Sequence, residues 1–128
     1  MKPRLFDHID LRVRDAERAR TFYVPVLKAL GFTVVQKVKG WVSYEGKRTS
    51  DKPTEFFGFT HDPNHQPNGT RIAFWAESRD EVDRVADVAR KAGAKNIEGP
   101  ELYVEPGYYA VFFEDPDGNK LEVCHRTA

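Results

Sequence analysis

The stretch Glu114-Asp115-Pro116-Asp117-Gly118-Asn119-Lys120-Leu121-Glu122-Val123 is a compact turn between two strand-like runs. Pro116 fixes φ for the first corner, and Gly118 accepts positive φ where the chain reverses. Before the turn, Tyr109, Val111 and Phe113 share one stripe and Tyr108, Ala110 and Phe112 the other. After it, Leu121 and Val123 face one way while Lys120, Glu122 and Cys124 face the other, by the period of two. Leu121 and Val123 read as core, so Glu122 stands on the opposite face. A carboxylate there is paired with a cation or bound to a metal, because an unpaired buried carboxylate is costly.

The same alternation opens the chain. Ile9, Leu11 and Val13 form the core stripe of a strand, which leaves His8 and Asp10 on the other face. Asp15 suits the N-cap of a helix beginning at Ala16. Ala19, Phe22 and Tyr23 make its inward stripe, extended by Val26, Leu27 and Leu30, with a kink or restart expected at Pro25 and a stop at Gly31. Residues 32–39, 41–45 and 54–60 read as three further strands, with a turn at Gly40 and a polar loop over 46–53. Residues 61–69, rich in Pro, Asn and Gly, read as an irregular linker. His61 and His65 are metal ligands by type, and solvated loop histidines by the plainer reading.

After the linker the pattern restarts. Residues 70–77 form a strand, with Ile72, Phe74 and Ala76 on one face and Arg71, Ala73, Trp75 and Glu77 on the other. Ser78 and Glu81 make a capping box for a helix over 79–92, striped by Val82, Val85, Ala86 and Ala89 and ended by Gly93. Its many charges read as a solvated face. Residues 95–98 form a short strand broken at Gly99-Pro100, residues 102–104 are extended again, and the opening hairpin follows. The order strand, helix, strands thus occurs twice: His8-Ile9 aligns with Arg71-Ile72 and Gly31 with Gly93. One domain is expected over 1–128, with module one at about 4–60 and module two at about 70–126.

Composition excludes several classes. The 128 residues are 40% hydrophobic, with nine Phe, and twenty basic residues balance twenty acidic ones. A nucleic-acid footprint would need a clustered basic excess. No window reaches the roughly 20 apolar residues of a membrane span. The single cysteine, Cys124, excludes an internal disulfide and fits a reducing compartment. A soluble cytoplasmic protein is expected.

The Asp-Pro-Asp-Gly-Asn turn followed by a hydrophobe and Glu, with the doubled βαβββ order and Phe22-Tyr23 ahead of Leu30-Gly31-Phe32, resembles the vicinal oxygen chelate superfamily. That group includes glyoxalase I, extradiol dioxygenases, fosfomycin-resistance enzymes and bleomycin-binding proteins. The resemblance implies an α+β fold of two βαβββ modules, whose curved mixed sheets surround a cup with the helices outside. It implies metal ligands on the first and last strands: His8 matches the first-strand histidine and Glu122 the last-strand glutamate. Glu55 is the candidate for a further ligand. The strand Arg71-Ile72-Ala73-Phe74 departs from the family, which has histidine where Arg71 stands. Guanidinium has no lone pair to donate and repels a divalent ion. It is expected to pair with Glu122 or Asp10 instead.

Two readings follow. In the first, the chain is a glyoxalase- or dioxygenase-like enzyme. A divalent ion (Zn, Mn, Ni or Fe) sits on His8 and Glu122, completed by His61 or His65 if the linker folds over the cup. Glu122 and Arg71 are then the catalytic residues, and Arg71 takes an anionic substrate group. In the second, a metal-free cup binds a small molecule, as in bleomycin-resistance proteins, over a polar floor of His8, Asp10, Arg71 and Glu122. Trp75, Tyr108 and Phe112 line the pocket in either reading, with Trp41 and Phe56 as further aromatic candidates, unless they are ordinary sheet core. Cys124 shares the parity of Glu122, and His125 faces away. The resemblance also implies a homodimer.

Overall fold

The computed structural model describes residues 3–38, 41–47, 54–104 and 107–127. The Gly40 turn, Lys39, loop residues 48–53 and residues 105–106 lie outside them. The element order is β1 (His8–Val13), α1 (Ala16–Ala29), β2 (Phe32–Val38), β3 (Trp41–Gly46), β4 (Phe56–His61), β5 (Arg71–Trp75), α2 (Arg79–Ala92), β6 (Lys95–Val104), β7 (Tyr108–Glu114) and β8 (Lys120–Arg126). The strands form two mixed four-stranded sheets of identical order, β1-β4-β3-β2 and β5-β8-β7-β6. In each, the first and last strands of the repeat run parallel and the other neighbours antiparallel. This is βαβββ twice, an α+β fold.

Two compact units result: Met1–Ala16 with Gly31–His65, and Glu17–Leu30 with Gln66–Ala128. Nearly all of α1 therefore belongs with β5–β8 rather than with the strands that flank it in sequence. Phe22 meets Phe113 with ring centroids 6.3 Å apart, and the Tyr23 hydroxyl donates to Asp115 Oδ2 at 2.7 Å. The Arg18 guanidinium pairs with Asp117. The buried stripe Ala19, Phe22, Tyr23, Val26 and Leu27 spans both sides of Pro25, and the helix runs through that residue without a restart. Burial on both sides outweighs the missing Pro25 amide.

Helix α2 follows its sequence signals. Ser78 Oγ accepts from the Glu81 amide at 3.1 Å, and Gly93 closes the helix at φ 103°. Val82, Val85, Ala86 and Ala89 are buried, as are Val111, Phe113, Leu121 and Val123 of β7 and β8. Strand β6 departs from expectation: it runs unbroken through Gly99-Pro100, with its register against β7 shifting on either side. Because β6 is an edge strand, the missing proline donor is absorbed as a bulge rather than a break. At Gly99, a Cβ would lie 2.7 Å from the Ala110 carbonyl oxygen, so only glycine fits.

The β7–β8 turn is organised by one side chain. Asp115, 1% exposed, accepts at Oδ1 from the amides of Asp117, Gly118 and Asn119 at 2.9–3.0 Å. Its Oδ2 accepts from Asn119 Nδ2 and from Tyr23. A buried carboxylate so saturated fixes both the turn and the seat of α1.

Candidate functional site

The face of the second sheet opposite its apolar stripe can be read from strand register. Residues directly opposite share a face, so Arg71, Lys120 and Glu114 form one row, and Ala73, Glu122 and Phe112 the next. Trp75, Cys124 and Ala110 form the third row, and Arg126 and Tyr108 the fourth. Alanine at 73 leaves a depression beside Glu122. Its cavity of about 380 Å³ is bounded by Ala73, Trp75, Tyr108, Glu122, Cys124 and Arg126.

Glu122 is 5% exposed, and the Tyr108 hydroxyl donates to its Oε2. Ala110 carries only a methyl group, too short to block that reach between rows. Burial, then the bond to Glu122, hold the Tyr108 hydroxyl well above its usual range, so it remains a donor. Burial and the neighbouring Glu122 also push the Cys124 thiol up, away from the reactive thiolate. Trp75 is 57% exposed, with the Arg126 guanidinium 5.9 Å from its ring centroid. His125 Nδ1 donates to the Ala76 carbonyl at 2.8 Å.

Arg71 is not bonded to Glu122. The register sets it beside Lys120, two residues from the Ala73–Glu122 pair, or about 7 Å along the strand. Its guanidinium lies 4.8 Å from the centroid of Phe112 instead. It borders a smaller cavity of about 60 Å³ with Asn96, Glu98, Phe113, Glu114 and Lys120. The expected Arg71–Glu122 pair is thus replaced by a Tyr108–Glu122 bond and an Arg71–Phe112 stack.

In the first unit the equivalent face carries His8, Asp10 and Arg12 on β1, then Phe56, Gly58 and Thr60 on β4. Opposite β4 stand Glu45, Ser43 and Trp41 of β3. The His8 ring stacks on Phe56 at 4.3 Å, and its Nδ1 lies 2.7 Å from Asp7 Oδ2. Asp10 pairs with Arg12 at 3.0 Å and accepts from Thr60 Oγ1, both within its own sheet, in place of the expected Arg71. Trp41 meets Phe56 edge-on at 5.6 Å and covers Gly58. Glu55 precedes β4 and has the parity of Phe57, not of Phe56, so it does not share the face of His8. Glu45, 8% exposed, is the acidic residue of β3 and β4 that does share it. Sequence reasoning missed Glu45, Ala73 and Arg126, although strand parity was the signal for all three.

His61 serves the backbone through its side chain. His61 ends β4, and its Nδ1 accepts the Ala16 amide at the start of α1 at 3.1 Å. The His65 amide donates to the Asp62 carbonyl.

As ligands for a divalent ion, the side chains around Glu122 on the second sheet fit poorly. Arg71 offers no lone pair, Glu122 Oε2 already receives a hydroxyl, and the Cys124 thiol is held protonated.

The family model for the Glyoxalase/Bleomycin resistance protein/Dioxygenase superfamily matches residues 5–123. YqjT, an uncharacterized protein of Bacillus subtilis (strain 168), is 30% identical over 125 residues, covering 91% of this chain and 94% of that one. A glyoxalase/bleomycin resistance protein from Albidiferax ferrireducens T118 is 29% identical with TM-score 0.76, covering 95% of this chain and 98% of that one. A point mutant of the fosfomycin resistance protein FosX of Listeria monocytogenes, complexed with Mn(II) and 1S,2S-dihydroxypropylphosphonic acid, is 15% identical with TM-score 0.69. That match covers 98% of this chain and 93% of that one, and its likeness is one of fold.

Proposed function

We propose, for a chain that belongs to the glyoxalase/bleomycin resistance protein/dioxygenase superfamily, that it binds a small molecule over the β5–β8–β7 face without a resident metal. The observation that carries this reading is the engagement of Glu122 by Tyr108 beside an open cavity, with Arg71 where the family has a histidine. The cavity combines an exposed aromatic surface with a few fixed polar groups, the usual make-up of a ligand site. Arg71 and Arg126 have no carboxylate partner among the described residues and are available to an anionic group.

A second reading is supported by β1. Asp7 holds His8 Nδ1, as a carboxylate does behind a metal-binding imidazole, and leaves Nε2 for an ion. In that reading His8 would contribute a ligand to Zn, Mn, Ni or Fe, and the ion would supply Lewis-acid chemistry when bound. Elemental analysis of protein purified without chelator separates the two. The metal-free reading predicts sub-stoichiometric metal. One ion per chain, lost on both Glu122→Gln and His8→Ala, would overturn it.

The protein is further proposed to act as a cytoplasmic homodimer. Among the described residues no helix is long and apolar enough to cross a membrane. Sedimentation at micromolar concentration tests the dimer, and a monomer alone would refute it.

A further inference from the structure

We infer that the cavity beside Glu122 takes a small aromatic zwitterion, its ring on Trp75, its carboxylate on Arg126 and its ammonium on Glu122. The inference rests on the reading of this face as a ligand site and names the class of ligand. Three observations carry it.

Trp75 is the first. A tryptophan 57% exposed at the wall of a cavity presents an indole face that another ring can cover. Stacking between rings adds to simple burial.

The second is charge. Arg126 and Glu122 bound the same cavity, and the described residues show no salt bridge between them. They stand four residues apart on β8, a backbone separation of about 13 Å, and the Arg126 head folds back over Trp75. The cavity therefore carries a cationic group, turned back toward Trp75, and an anionic one that are not paired with each other. A ligand with a single charge is attracted by one and repelled by the other, whereas a zwitterion with both charges on one short arm is matched to both. Tyr108 occupies Oε2 of Glu122, and a ligand ammonium would donate to Oε1.

The third is size. A cavity of about 380 Å³ lies near the small end of the roughly 300–1,000 Å³ range of small-molecule pockets. One aromatic ring with a short amino-acid arm suits a cavity of that class. The floor of Ala73 and Cys124 is apolar in character, since the thiol remains protonated.

Calorimetric titration of the full chain with four probes tests the inference: phenylalanine, 3-phenylpropionate (no ammonium), 2-phenylethylamine (no carboxylate) and alanine (no ring). Phenylalanine should bind at least tenfold more tightly than each of the others, and Trp75→Ala should abolish its lead over alanine. Arg126→Gln alters an exposed residue, so folding is not at issue. It should remove the preference over phenylethylamine and keep that over phenylpropionate. Equal affinity for phenylalanine and phenylpropionate would overturn the proposal, as would indifference to Trp75→Ala. If no probe binds at millimolar concentration while another small molecule perturbs the Tyr108 and Trp75 resonances, the zwitterion is refuted and the ligand-site reading stands. Stoichiometric metal on Glu122 would overturn both.

Discussion

Tyr23→Phe isolates the bond that ties α1 to the β7–β8 turn. The Tyr23 ring is fully buried, so the substitution leaves packing unchanged and removes one hydroxyl. That hydroxyl donates to Asp115 Oδ2 at 2.7 Å, a hydrogen bond to a charged acceptor worth about 1.5–3 kcal/mol. Asn119 Nδ2 remains on the same oxygen at 2.8 Å, which keeps the carboxylate partly satisfied. The expected loss is therefore about 2 kcal/mol. Asp115→Ala should cost more, about 4 kcal/mol, because it orphans three turn amides as well as Tyr23 and Asn119. Urea denaturation followed by far-ultraviolet circular dichroism measures both, and an unchanged slope would show that the midpoint shift is a stability change. In the double mutant Tyr23→Phe/Asp115→Ala the two losses should be clearly non-additive, since they share one contact. Additive losses, or a Tyr23→Phe cost under about 0.5 kcal/mol, would refute the role given to Asp115.

Burial first, then Asp115, raise the Tyr23 pKa well above the usual tyrosine value of about 10, so the folded state keeps the neutral phenol. Its contribution is complete below pH 10 and is lost as pH rises above that value, where only the unfolded chain ionises. Tyr23→Phe should flatten the alkaline limb of a stability–pH curve, and an unchanged limb would count against this. His61→Ala should cost about 1 kcal/mol by freeing the Ala16 amide at the start of α1, read by thermal melting. Arg71→Ala should cost less than about 1 kcal/mol, because an exposed guanidinium over Phe112 is lost rather than a buried ion pair. A loss near 3 kcal/mol would restore the Arg71–Glu122 pair.

Parity was legible in the sequence and register was not. The alternation of Leu121 and Val123 against Glu122 correctly separated core from opposite face, and so did Ile9, Leu11 and Val13 against His8. Periodicity of two places a residue on a face but does not say which residue of the next strand stands beside it. The Arg71–Glu122 expectation failed at that step, by two residues of register. Helix α2 was readable because its caps are local, Ser78 at one end and Gly93 at the other. Its counterpart α1 was less so. One partner of its first residue, His61, lies 45 residues away, and the partner of Tyr23 lies 92 residues away. No window along the chain contains both members of either pair.

The open faces of both sheets owe their shape to small residues that pattern analysis treats as neutral. Gly58 stands between Asp10 and Ser43, and a Cβ there would come within 2.9 Å of the Trp41 indole nitrogen. Its absence lets the indole lie down over the strand. Ala110 does the same for Tyr108, which passes over it to reach Glu122, and Ala73 keeps the β5 side of that carboxylate clear. A larger side chain at 73 would fill the cavity, and one at 110 would lift Tyr108 away from Glu122, leaving a 95%-buried carboxylate without its donor. An unpartnered carboxylate would then favour a cation, whether ammonium or metal. Residue 110 thus bears on how Glu122 is engaged: an alanine there leaves the Tyr108 hydroxyl a path to the carboxylate, and a larger side chain would close it.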